Sequence, residues 1–265
     1  METEEHAVGQ EGPVTCAAWI RLPENRLLVI KGRAGSGAVP PLLEIFSFDA
    51  KTSSLSPAPL AMFAIREEGR DPLGFAVHPS GDEIICSTAK GCKLFELNSQ
   101  DIDIRLLAKD LPPLQSIGPQ KCLAFSTDGS KFATGGMDGH LRILQWPSLQ
   151  VLLDEPRAHK SFQDMDISLD SEFLVSTSID GSARVWKISD GVPLDEKIEC
   201  CRFSRDGMKP FLFCTVQKGG NVVTAVWDIS TWNRIGYKRL PRKPISVLSV
   251  SLDGKYLALR GILDA

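Results

Sequence analysis

Three groups of residues in this 265-residue chain are of types that can do chemistry. His159, Ser176 and Asp180 are the ingredients of a Ser-His-Asp hydrolase, in which a histidine takes the serine proton and an aspartate orients the histidine. The serine sits in Leu174-Val175-Ser176-Thr177-Ser178, however, without the Gly-x-Ser-x-Gly elbow that would expose it. Metal chemistry needs clustered donors, and His6, His78, His140 and His159 each stand without a partner at a recognised ligand spacing, so no metal centre is expected. His78 is expected to cap a strand-to-turn step and His140 to flank a hairpin turn. The third group is the loop Lys31-Gly32-Arg33-Ala34-Gly35-Ser36-Gly37-Ala38-Val39-Pro40-Pro41. Its glycines let the backbone turn tightly and aim carbonyl or amide groups at an ion or a partner surface. It is no phosphate-binding Walker loop, since no Gly-Lys-Ser or Gly-Lys-Thr follows. A flexible connector and a binding loop both fit it.

The elements that must position these residues are short strands. Leu174 to Trp186 reads as a strand, an Asp180-Gly181 turn supplying two positive-φ positions, and a second strand ending in tryptophan. Ala133 to Ile143 repeats the pattern around Asp138-Gly139, and Cys214 to Trp227 repeats it around Gly219-Gly220. The first copy runs from Val14 to Asp49, followed by a surface connector, Ala50 to Asp71, whose apolar part can form an outer strand. Further copies begin at Gly74, Cys122, Met165, Cys201 and Val247. A repeat of about 35 to 50 residues, with Ser-x-Asp-Gly or Pro-Ser-Gly turns, is that of an all-β WD40-type β-propeller. About five full blades and a partial sixth are predicted over 13–265, behind an acidic, flexible segment, 1–12. The sixth copy breaks at Arg260 to Ala265, where a second strand, an Asp-Gly turn and a third strand should follow, so an open ring with exposed edges near Val247 to Leu259 and an apolar face around Val14 to Trp19 is expected.

The repeat changes the meaning of the apparent triad. In WD repeats a histidine before the first strand, a serine or threonine in the second, the turn aspartate and the third-strand tryptophan form a buried hydrogen-bonded tetrad. His159, Ser176, Asp180 and Trp186 match that pattern, with Ser178 as an alternative to Ser176. No catalytic residue is assigned, and a hydrolase is not expected.

Composition sets the remaining limits. A 43% hydrophobic content and a net charge of -3 suit one soluble domain and do not point to nucleic acid. Seven scattered cysteines without Cys-x-x-Cys read as reduced thiols in the cytosol, with Cys200 and Cys201 facing opposite sides of a strand, one inward and one outward. The N-terminus lacks the basic and apolar regions of a signal peptide. No apolar run approaches the roughly 20 residues of a membrane span. The basic run Tyr237 to Lys243 reads as a solvated inter-blade loop rather than as a site for an acidic partner or an anionic membrane face.

Val14-Thr15-Cys16-Ala17-Ala18-Trp19, the Gly-rich loop of the first blade, and later blades ending Arg184-Val185-Trp186-Lys187 and Val226-Trp227-Asp228 resemble the family of exchange factors that load GTP onto the COPII-initiating small GTPase of the endoplasmic reticulum. The likeness runs from Val14 to Leu259 and is greater for the plant branch, the phosphate transporter traffic facilitators. It implies a seven-bladed propeller on the cytosolic face of the endoplasmic reticulum, a C-terminal membrane anchor that these residues do not include, and a role in export with the GTPase, and phosphate transporters as cargo, for partners. It also implies a first-blade loop that binds a potassium ion and enters the GTPase. That loop maps onto Gly32, Arg33, Gly35, Ser36, Gly37, Val39, Pro40 and Pro41. The family places Asn where Pro41 stands, and proline has neither an N–H nor an amide side chain, so weak or absent exchange activity is expected. A WD scaffold without a GTPase is the alternative.

Overall fold

The computed structural model describes residues 12–20, 26–33, 39–66, 71–100, 103–188, 191–194, 198–205, 207, 210–218, 221–231, 233–239, 245–251 and 256–261. Apart from a 3-10 turn at Pro112–Leu114, all regular structure among them is strand. The first sheet contains β1 (Val14–Ile20), β2 (Arg26–Lys31), β3 (Leu42–Asp49), the short β4 (Ser54–Leu55) and β5 (Ala61–Ala64). Three four-stranded meanders follow: β6 (Phe75–Val77) to β9 (Asp103–Asp110), β10 (Gln120–Phe125) to β13 (Val151–Glu155), and β14 (Phe162–Ile167) to β17 (Gly191–Leu194). A fourth contains β18 (Ile198–Phe203), β19 (Phe211–Lys218), β20 (Asn221–Asp228) and β21 (Asn233–Arg239), and the last sheet pairs β22 (Ile245–Val250) with β23 (Leu257–Gly261). Every meander is antiparallel and follows chain order.

Turn chemistry explains the hairpins. Between β15 (Phe173–Ser178) and β16 (Ala183–Lys187), the Gly181 N–H donates to the Ser178 carbonyl at 3.0 Å and the Ser178 N–H to the Ser182 carbonyl at 3.0 Å. This is a three-residue loop with glycine in the left-handed position, at φ 84°. Only one positive φ is needed there, which corrects the expectation of two. Asp180 instead accepts the Ser182 N–H at 2.9 Å, closing the turn through its carboxylate.

The first strands of successive sheets pack against each other in order, β1 on β6, then β10, β14, β18 and β22. Hydrophobic clusters fill the spaces between sheets. Leu174 points to the third sheet and its neighbour Val175 to the fifth, and both are fully buried. Strands covered on both faces read as nearly continuous apolar runs. The same double coverage corrects the reading of Cys200 and Cys201, both of which are buried. A cavity of about 530 Å³ is lined by Ala17 to Trp19, Phe75, Phe125 and Val250, from the first strands of four sheets, and by Leu169 and Arg205, from the loops that follow β14 and β18. The sheets therefore radiate from one axis, as in a WD40-type β-propeller, with five sheets of four or five strands and a two-stranded sixth. β1 leaves Trp19 50% exposed, stacked edge-on to Phe48.

Candidate functional site

The loop between β2 and β3 is anchored at both ends. The Gly32 N–H donates to the Pro13 carbonyl at 2.9 Å. Asp71 accepts the Arg33 N–H on one oxygen at 2.9 Å and the Arg33 Nε–H on the other at 2.7 Å. A Cβ on Gly32 would lie 3.1 Å from that carboxylate, a tight approach that a side chain could make only if Asp71 shifted by a few tenths of an ångström. Lys31 and Glu44, both largely buried, pair at 3.0 Å across the strands below. On the return side Val39 is 37% exposed and Pro40 half-buried. Pro41 is buried, and its carbonyl accepts the Ile65 N–H at 2.8 Å. Gly35, Ser36 and Gly37 lie outside the described residues.

The loop's ends thus form a fixed frame, with Val39 as the described residue that faces solvent. A potassium ion would need converging oxygens. Two oxygen-bearing groups at the frame are engaged, the Asp71 carboxylate by Arg33 and the Pro41 carbonyl by Ile65, and the guanidinium places positive charge at the entrance. With its carboxylate paired to Arg33, Asp71 is not a ligand that fits the ion.

In the fourth sheet the hydrogens assign a directed chain. Trp186 Nε1–H donates to Ser176 Oγ at 2.8 Å, and Ser176 Oγ lies 2.7 Å from His159 Nε2. At the other ring nitrogen, Nδ1 lies 3.2 Å from Ser182 Oγ, which gives its own hydrogen to Asp180 at 2.6 Å. Ser182 therefore accepts from Nδ1–H, and the Ser176 hydroxyl donates to Nε2. Asp180 reaches the histidine through Ser182, a relay absent from the expected four-residue pattern, and Ser178 instead accepts the Asp180 N–H at 3.3 Å. Burial, with the positive charge of Arg184, brings His159 down to about 4, which keeps the ring neutral. Asp180 falls to about 2: burial opposes its ionisation, but the Ser182 hydroxyl and amide bonds outweigh it. Ser176 is 0% exposed and has no opening for a substrate.

Other sheets vary this arrangement. At the position matching Ser176, Thr134 donates to Gln120 at 2.7 Å, and the tryptophan position holds Leu144. In the fifth sheet Leu212 opposes Trp227 as Leu174 opposes Trp186, so Cys214 takes the serine position. Trp227 Nε1 is buried and finds no acceptor among the described residues.

His78, Asp82 and Glu83 lie close enough to suggest a cation site. His78 Nε2 faces the Gly129 carbonyl at 3.2 Å and must donate, while Nδ1 accepts the Ser80 N–H at 3.2 Å, leaving no ring lone pair for an ion. Glu83 takes the Trp146 indole N–H at 2.8 Å. The group ties the second blade to the third. His140 flanks its hairpin, bonded to Asp154 and to Arg142.

Sequence reasoning missed two ion pairs from β14, one to β18 and one to the residues just after it. Asp164 pairs with Arg202 at 2.6 Å, and Asp166 pairs with Arg205 at 2.6 Å while taking the Phe203 N–H at 2.8 Å. Burial pushes Asp164 up, with Arg202 opposing, and the two aspartates hold the Arg202 guanidinium charged. Only the Asp-x-Asp and Arg-x-x-Arg spacings could have hinted at this. Tyr237, 67% exposed, and Lys238 belong to β21, paired with Ala225 and Thr224, so the basic run begins as an outer strand rather than a loop. Residues 240–243 lie outside the described residues.

Comparison with known proteins adds three observations. The family described as WD domain, G-beta repeat, matches residues 115–144 and 150–187, the third and fourth sheets. SEC12-like protein 1 of Arabidopsis thaliana is 56% identical over 98% of this chain and 69% of its own length, and SEC12-like protein 2 of the same plant is 33% identical over 86% and 60%. The guanine nucleotide-exchange factor SEC12 of Mus musculus is 28% identical over 53% of this chain and 39% of its own length.

Proposed function

The chain belongs to the SEC12-like family, and on that premise we propose that it is a trafficking factor of export from the endoplasmic reticulum, acting at the cytosolic face on the small GTPase that initiates the COPII coat. The observation that carries this reading is the first-blade loop: its two ends are pinned, by Asp71 and by Ile65, on a blade whose inner strand is the start of the family likeness. Pinned feet fix where the loop leaves and rejoins the sheet, which lowers the ordering cost of a contact made there. Gly32, Arg33, Val39 and Pro40 supply the described part of the contact.

Exchange activity is proposed to be weak. Pro41 is buried and its carbonyl is bonded within the sheet, so this position offers the GTPase no amide side chain. The role is then closer to recruitment than to nucleotide release, with phosphate transporters as proposed cargo. The experiment is release of a fluorescent GDP analogue from the coat GTPase, with and without potassium, alongside binding of the GTPase to the immobilised chain. Binding with little acceleration is the expected result. Absence of binding would sink the reading and leave a WD scaffold without a GTPase, an alternative that the buried Pro41 favours.

A further inference from the structure

Cys201 and Cys214 oppose each other across the first two strands of the fifth sheet. Opposed residues of an antiparallel pair alternate between sites that exchange backbone hydrogen bonds and sites that do not, and at the second kind Cα atoms approach to about 4.5 Å. The backbone donors identify this site. The Ser204 N–H donates to the Phe211 carbonyl at 2.8 Å, so Ser204 and Phe211 form a bonded site. Counting inward, Arg202 and Phe213 form the next, and Cys201 and Cys214 fall between bonded sites. Accordingly, the N–H groups of Phe203 and Cys201 turn away from β19 and reach Asp166 at 2.8 Å and Asp164 at 3.3 Å.

Both cysteines are fully buried reduced thiols in one cluster, on the same face of the sheet. Their spacing class falls within the span of about 4.4 to 6.8 Å that a disulfide bridges between Cα atoms. Among the described pairings no other cysteine opposes a second one: Cys16 faces Ile30, Cys86 faces Lys93, Cys92 faces Ser87, Cys122 faces Gly135 and Cys200 faces Thr215. The corresponding pair in the fourth sheet is Met165 and Ser176, and Ser176 anchors the Trp186 indole. The fifth sheet lacks that polar tie, and two sulfur atoms occupy its place.

We propose that Cys201 and Cys214 are a modification site: an oxidisable pair that forms a cross-strand disulfide and ties the fifth blade covalently. The oxidant is a disulfide such as oxidised glutathione. One cysteine thiolate attacks it, releasing one reduced glutathione and leaving a mixed disulfide; the second thiolate displaces the other glutathione. Two protein thiols thus lose two hydrogens, one S–S bond forms, and two glutathione thiols are produced. Burial, reinforced by Asp164, pushes the Cys201 thiol well up, so reaction waits on opening of the sheet and is slow.

The test incubates the 265-residue chain in glutathione buffers of increasing oxidised fraction, blocks remaining thiols by alkylation and maps the peptides. The expected result is five alkylated cysteines of the original seven, one linked pair joining Cys201 to Cys214, and a higher melting midpoint than the reduced chain. Cys201→Ser and Cys214→Ser should each abolish the link, and Cys122→Ser should keep it. Seven alkylatable thiols throughout, glutathione adducts alone, another pairing, or an unchanged melting midpoint after linkage would overturn the proposal.

Discussion

Asp71 holds Arg33 at two points, its backbone N–H at 2.9 Å and its side-chain Nε at 2.7 Å. The pair spans 38 residues of sequence and fixes the foot of the first-blade loop. Both side chains are about one-third exposed, so removing the contact should alter the global midpoint by less than about 1 kcal/mol. Its effect is local. Asp71→Ala should speed hydrogen exchange at the Arg33 amide by about tenfold, the equivalent of a hydrogen bond of ~1 to 1.5 kcal/mol, with Asp71→Asn intermediate. Unchanged exchange at Arg33 would show that something else holds the loop.

Ser176 stands between an indole donor and a histidine acceptor inside the fourth blade. Ser176→Ala leaves both without a partner and should cost about 1 to 3 kcal/mol in urea unfolding. Ser182→Ala, at the more exposed end of the chain, should cost less. Hydrolysis of generic esters by the purified chain, lost in Ser176→Ala at unchanged stability, would contradict the closed arrangement.

Acid should weaken the fold through His159. Its ordinary value near 6.5 falls to about 4 in the native state, so between these values the unfolded chain binds the proton more readily and acidification favours unfolding. This contribution is fully present above about pH 6.5, declines as pH falls towards 4 and levels off below it. The melting midpoint measured from pH 7.5 to 4.5 should drop more for the wild type than for His159→Asn. Parallel curves would mean that His159 titrates normally.

Asp166 joins the fourth blade to the fifth through the Phe203 amide and the Arg205 guanidinium. Asp166→Ala should destabilise by about 2 to 3 kcal/mol, as expected for hydrogen bonds to a charged group, and should expose the Phe203 amide to exchange. A change below ~0.5 kcal/mol would mean that Asp166 adds little to what the Asp164–Arg202 pair and the apolar contacts already hold.

The inner strands and hairpins were legible because turn residues and tryptophans recur at fixed offsets, as around Gly181 and Trp186. Outer strands were harder: β13, Val151–Glu155, faces solvent on much of its surface and carries no clean alternation. β5 could be read only as the apolar part of a connector, yet it pairs with β3 from Leu42↔Ala64 to Ile45↔Ala61. At the loop, Gly32 and Pro41 drew attention by residue type, whereas Asp71 did not, since nothing local links it to Arg33. The Asp164–Arg202 couple depends on how two blades are set side by side, which no single repeat encodes. Ser182 escaped notice because a small residue after Asp-Gly is ordinary in a hairpin.

Within each meander every strand bonds to the strand that precedes or follows it along the chain. Most loop closures are therefore short, and the entropy lost in bringing partners together stays small at each step. Folding can advance blade by blade as the polypeptide leaves the ribosome, each finished hairpin offering its apolar face as the template for the next. Seating the fourth blade on the fifth brings Asp164 and Asp166 to Arg202 and Arg205. Substitutions at those four positions should therefore slow that docking phase while leaving the hairpin phases at their original rates.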